Sequence, residues 1–285
     1  MYCRRRGPDP LQPTVIAVLQ FLTLLYEEGK GYSSLNVARC VISTLFLGKD
    51  TVSSHHLISK CFRGVFNRRP ALPRNNVTWD ADAVLTFLKT WAPAKRLSLR
   101  QLTLKVTVLL LLLSGQRGQT IWLLDTRNIT LSKNEVRRRI GDLIKTSNPK
   151  NHVDEVVYAA YPPNRRLCVV TYVKAYLNRT ALLRRKESGF LISFKKPHNK
   201  VSRDTIRRWV KAVLELSGVD TSIFTPHSTR VASTSKAATK IPLKTILKTA
   251  GWRRLSNFAT YNHKPVIREG IFAAAVVQPS NSQVR

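Results

Sequence analysis

From Leu99 to Leu113 apolar residues fall on every side of a would-be helix, and the stretch Val106 to Leu113 is interrupted only by Thr107. Ser98 stands where an N-cap is needed and Gly115 where a left-handed C-cap would stop the helix. The apolar stretch is far shorter than the ~20 residues that span a bilayer. It therefore predicts the central buried helix of a globular domain, and whatever follows it is held rigidly. A chain of 285 residues, 43% of them hydrophobic, can wrap such a helix and build a second, smaller core. Wholesale disorder is excluded.

Charge narrows the partner. Lys and Arg number 48 against 16 Asp and Glu, a formal net charge of +32. The excess is spread along the chain, +7 over residues 1–75 and +25 over the remainder. A membrane-surface protein would concentrate it on one amphipathic helix, so a nucleic acid is the expected partner, with no membrane role. The basic N-terminus runs into Pro8, Asp9, Pro10 and Pro13 instead of an apolar signal segment, so secretion is not expected. Cys3, Cys40, Cys61 and Cys168 form no CxxC or paired spacing, which argues for a reducing compartment and against a zinc site. The Asn-x-Thr triplets at Asn76, Asn128 and Asn178 are then chance matches.

Helical spacing predicts a small N-terminal unit with helices over 13–26, from Ser33 or Ser34 to Phe46, and around 52–66. Arg68 to Asn76, with Pro70 and Pro73, reads as the exit linker, dividing the chain at 1–75 and 76–285. Further helices are expected over 80–90, 99–113, 167–183, 204–216 (capped by Ser202, ended by Gly218), 228–238 and 242–250. Between Arg127 and Ala160, short β-compatible runs around Ile129, Val136, Ile140, Leu143 and Val156 predict a small antiparallel sheet, with a turn at Ser132-Lys133-Asn134. The fold class is mainly α with a small antiparallel β-sheet.

Individually the polar residues of the second unit are ordinary. Arg117 lies just past the buried helix, a long cation at the mouth of a rigid element. Lys145 sits at or beside a turn of the sheet. His227 and Arg230, three apart on one predicted helical turn, are expected to converge. Trp252 follows Gly251, and Tyr261 comes nine residues later.

Taken in order, Arg117, Lys145, His227-x-x-Arg230, Trp252 and Tyr261 resemble the active-site set of the tyrosine recombinases, the phage-integrase-type site-specific recombinases. The phrases Gly115-Gln116-Arg117-Gly118-Gln119, Leu143-Ile144-Lys145-Thr146-Ser147 and Tyr261-Asn262-His263-Lys264-Pro265 are most similar to recombinases of eukaryotic DIRS-type mobile elements. The resemblance spans about residues 77–268 and, more vaguely, the N-terminal helices. It implies a helical, SAM-like core-binding domain over 1–75 and a catalytic domain over 76–285. Thr120 stands where many bacterial members carry an acidic residue, and Val231 where many carry a second histidine.

The resemblance also implies chemistry. Tyr261 would attack a phosphodiester of double-stranded DNA, forming a 3′-phosphotyrosyl link and freeing a 5′-hydroxyl. Arg117 and Arg230 would fork onto the non-bridging oxygens, Lys145 would protonate the leaving oxygen, His227 would help deprotonate Tyr261, and the Trp252 indole N–H would donate to the phosphate. No metal and no cofactor is expected. The partner is duplex DNA, bound by a homo-oligomer of two to four copies, in the nucleus if the source is eukaryotic and in the cytoplasm or nucleoid if bacterial. Integration of a mobile element is the expected role. A type IB topoisomerase, or a silent DNA-binding descendant of a recombinase, are the alternatives.

Overall fold

The computed structural model describes residues 7, 13–45, 54–70, 75–144, 147, 149, 155–252, 258–259 and 264–266. The chain divides into two units, Met1–Arg74 and Asn75–Arg285. In the first, helices α1 (Val15–Glu27), α2 (Tyr32–Leu45) and α3 (His56–Arg68) bury Val18, Leu22, Leu35, Ile58, Phe62 and Val65. Thr14 starts α1, its hydroxyl accepting from the Ala17 N–H at 3.2 Å. Helix α2 begins before the serines expected to cap it, because the Gly31 carbonyl already accepts from Ser34 and Leu35. Tyr32 thus joins the helix and packs edge-on against Phe62 and Phe66, with centroids 5.5 and 5.6 Å away.

The second unit opens with α4 (Ala81–Thr90), capped by Asp80, whose carboxylate accepts from the Asp82 N–H at 2.8 Å. Then comes α5 (Leu99–Ser114), begun by a reciprocal Ser98–Gln101 capping box and ended at Gly115, φ +58°. It is the predicted central helix: residues 102–112 are buried without a break. A short α6 (Gly118–Trp122) leads to three strands, β1 (Ile129–Leu131), β2 (Glu135–Arg139) and β3 (Glu155–Ala159). Helices α7 (Val169–Thr180), α8 (Arg203–Leu216) and α9 (Ser228–Ala238) pack around α5, and α10 (Leu243–Ala250) packs on α9. Truncating a leucine at the heart of α5 is expected to cost about 2–5 kcal/mol.

The sheet is antiparallel in the order β1-β2-β3, with Val136 opposite Tyr158 and Arg138 opposite Val156. These four side chains face the core, and the Tyr158 hydroxyl reaches the Leu110 carbonyl at 3.3 Å, fastening sheet to helix. The β1–β2 turn is the expected one, with the Ser132 N–H donating to the Glu135 carbonyl at 2.9 Å. Leu143 departs from expectation: it lies beyond the end of β2 and is 82% exposed.

Midway along α5, Lys105 is fully buried. Its ammonium donates to the carbonyls of Leu88, Trp91 and Arg166 at 2.7, 2.6 and 2.7 Å and lies 3.7 Å from the centroid of the Tyr172 ring. It ties the end of α4 and the approach to α7 to the central helix. Burial pushes its pKa down to about 7. Among the described residues no helix is long and apolar enough to cross a membrane.

Candidate active site

The site forms where α5 ends. A Cβ on Gly115 would stand 2.9 Å from Thr234 Cγ2 and 3.3 Å from Ala250 Cβ, so the left-handed turn also lets the helix end abut α9 and α10. Gln116 fastens the contact, its Nε2 donating to the Thr249 carbonyl at 2.6 Å, and the Ser233 hydroxyl donates to the Leu112 carbonyl. The next residue is Arg117, half-buried at the entrance of α6, with its pKa lowered by burial.

Arg230 comes to the same place from the first turn of α9. It is 3% exposed, and Nε, Nη1 and Nη2 have no hydrogen-bond partner among the described residues. Its guanidinium carbon lies 4.1 Å from the centroid of the Trp252 ring. Trp252 follows Gly251, the left-handed cap (φ +69°) that ends α10, and its N–H donates to the Leu247 carbonyl at 2.8 Å. Phe258 packs edge-on against the indole at 5.6 Å, while the indole Nε1 is buried without a partner among the described residues. Burial, and then the positive charge of Arg117, push the Arg230 pKa down to about 9.

A buried guanidinium lacking a carboxylate is costly, and its planar fork suits a tetrahedral oxyanion offering several acceptors. With Arg117 alongside, and the indole N–H also unpartnered among the described residues, the arrangement offers donors of the kind that suit a phosphate. No group of His, Cys, Asp and Glu suited to a metal ion occurs among the described residues.

His227 stands at the N-cap position of α9 and is exposed, and Arg230, one turn on, is buried. Lys145 and Tyr261 lie outside the described residues. Their neighbours do not: Ile144 and Ser147 bond each other through the Ser147 N–H to the Ile144 carbonyl at 2.8 Å, and Phe258 and Lys264 stand three residues either side of Tyr261.

Residues 79–266 match the phage integrase family. The chain belongs to that family. Its fold, mainly helical with a small three-stranded antiparallel sheet, is that of a tyrosine recombinase catalytic domain. A crystal structure of the XerH site-specific recombinase bound to its palindromic difH substrate, a post-cleavage complex, is similar with a TM-score of 0.60 and 12% identity, over 93% of this chain and 72% of that one. The Tn1549 transposon integrase in complex with circular intermediate DNA gives 0.55 and 12%, over 95% and 87%. A lambda integrase dimer bound to a COC′ core site gives 0.51 and 15%, over 91% and 68%. At such identities the likeness is one of fold. No curated protein matches the chain.

One buried cation near the helix that follows Arg117 was not anticipated from the sequence. Arg138 of β2 is 1% exposed, and its Nη1 donates to the Thr120 carbonyl of α6 at 2.8 Å, while Nε and Nη2 have no partner among the described residues. The signal was there: in the alternation Val136-x-Arg138-x-Ile140 an arginine occupies the apolar face.

Proposed function

We propose that the chain is a site-specific DNA recombinase that cleaves and rejoins duplex DNA through a 3′-phosphotyrosyl intermediate, in the service of a mobile element of the DIRS type. The observation that carries this reading is the buried, unpartnered guanidinium of Arg230, stacked on Trp252 beside Arg117. A scissile phosphate is the partner it lacks.

In this mechanism Arg117 and Arg230 meet the charge that builds on the non-bridging oxygens, and the Trp252 N–H adds a third donor. The Tyr261 hydroxyl attacks phosphorus, its proton passing toward His227, while the bond from phosphorus to the 5′ oxygen breaks and that oxygen takes a proton from Lys145. The new ester keeps the energy of the old one, so a 5′-hydroxyl from another strand can reverse the step without ATP. The N-terminal unit grips the duplex, and two or more copies pair their sites. Support for such assembly comes from family members, including a lambda integrase tetramer bound to a Holliday junction.

Supercoiled plasmid carrying the element's ends, incubated with the protein in excess EDTA, should yield a covalent protein–DNA adduct. Adduct only after magnesium is added would contradict the mechanism.

A further inference from the structure

The first residues of the second unit hold two parts of the site at once. The Trp79 Nε1 donates to the Ser228 hydroxyl at 2.8 Å, and that hydroxyl donates to the Thr225 carbonyl at 2.7 Å. The same carbonyl accepts the Ser228 N–H at 2.8 Å, closing the turn Thr225-Pro226-His227-Ser228 in which His227 sits. Asn75 holds the approach to this turn, its Nδ2 donating to the Ile223 carbonyl at 3.1 Å. On its other flank the segment grips the chain that follows Tyr261. The Thr78 N–H donates to the Pro265 carbonyl at 2.9 Å, Thr78 and Val266 form a parallel bridge, and the Lys264 ammonium donates to the Asn75 carbonyl. The Lys264 N–H is anchored in turn to the Ser235 hydroxyl of α9 at 3.0 Å.

We propose that Trp79 is a positioning residue for DNA cleavage: through the Ser228 hydroxyl its indole N–H sets the turn that presents His227, while its neighbour Thr78 holds the segment next to the nucleophile. The inference rests on the recombinase reading above. A Trp at this place would serve equally well for packing, and the ring is indeed 4% exposed within the core. Packing alone does not explain the directed bond to Ser228. That hydroxyl accepts a hydrogen bond from Trp79 and donates its own to the Thr225 carbonyl, fixing the residue next to His227. With the bond gone the turn that carries His227 loses one of its fixed points.

The test is single-turnover adduct formation on duplex DNA by Trp79→Phe, which keeps an aromatic ring and removes the N–H, and by Ser228→Ala, which keeps the indole. Losing one hydrogen bond of ordinary strength predicts a cleavage rate about three- to tenfold lower in each, with DNA affinity near wild type for Ser228→Ala and a melting temperature lowered by a few degrees because the Trp79 N–H loses its acceptor. The double variant should be no slower than the slower single one. In a His227→Ala background neither substitution should slow cleavage further, which a merely structural role would not produce. Wild-type rates in Ser228→Ala, additive losses in the double variant, or equal losses with and without His227 would overturn the proposal. Absence of any adduct from the unmodified protein would instead overturn the recombinase reading, and this inference with it.

Discussion

Two buried cations in one domain have opposite surroundings. Around Lys105, in the N-terminal half of α5, three carbonyls and an aromatic face surround the ammonium. Beyond the other end of α5, Arg230 has an aromatic face and no acceptor among the described residues. Both charges are desolvated, and both pKa values are lowered by it. The first is a completed structural joint, holding α4 and the approach to α7 on the central helix. The second has no acceptor among the described residues, and under the proposed function a DNA phosphate would supply one. Arg138 stands between the two, with Nη1 bonded to the Thr120 carbonyl and Nε and Nη2 without a partner among the described residues.

The widest separation should come from removing each in turn. Arg230→Met should lower adduct formation by about 10²–10³-fold, because a fixed donor on the developing charge is lost, while stability stays level or rises, since an unpaired buried charge disappears. Comparing single-turnover cleavage with chemical unfolding checks both halves, and a marked loss of stability would mean that Arg230 has a structural partner.

Lys105→Met should do the reverse. Three buried carbonyls lose their donor, so the protein is expected to lose about 1–3 kcal/mol in denaturant unfolding while the folded fraction cleaves normally. The effect carries a pH signature. The folded pKa of about 7 lies below that of an unfolded lysine near 10.4, so between these values the unfolded chain binds more protons and stability rises with pH. This contribution is absent from Lys105→Met, so the gap between the two proteins should widen from pH 7 toward pH 10. A constant gap would show that Lys105 does not titrate in that window.

The smallest effect concerns the missing half directly. Inorganic phosphate at ten times its Kd should stabilise the unmodified protein by about 1 kcal/mol more than Arg230→Met. Equal stabilisation would place the anion elsewhere on this basic surface.

The sequence was legible wherever a local signal stated the answer. Ser98 and Gly115 bound α5 as expected, Ser202 caps α8, and the β1–β2 turn lies at Ser132-Lys133-Asn134. It was less legible where distant partners decide. The segment at Gly189 and Phe190 is held by the Arg184 guanidinium and by the Leu124 carbonyl, and it was not anticipated. Arg117, Arg230 and Trp252 were grouped by the resemblance to the tyrosine recombinases, and in the structure Arg230 lies against the Trp252 ring and within electrostatic reach of Arg117. Arg138 and Trp79 were missed for a related reason: their partners lie 18 and 149 positions away in the chain.

The account stands or falls on which oxygen joins the DNA. Several tyrosine hydroxyls in the second unit are turned inward: Tyr158 reaches the Leu110 carbonyl, Tyr172 the Trp91 carbonyl at 3.4 Å, and Tyr176 accepts from the Ile192 N–H at 3.0 Å. Tyr161 is 52% exposed and is the natural competitor. Mass spectrometry of the DNA-linked peptide from a trapped adduct should find the phosphodiester on Tyr261, and Tyr261→Phe should bind DNA with unchanged affinity yet form no adduct. A link to Tyr161 or any other residue, or adduct at the normal level from Tyr261→Phe, would contradict the assignment.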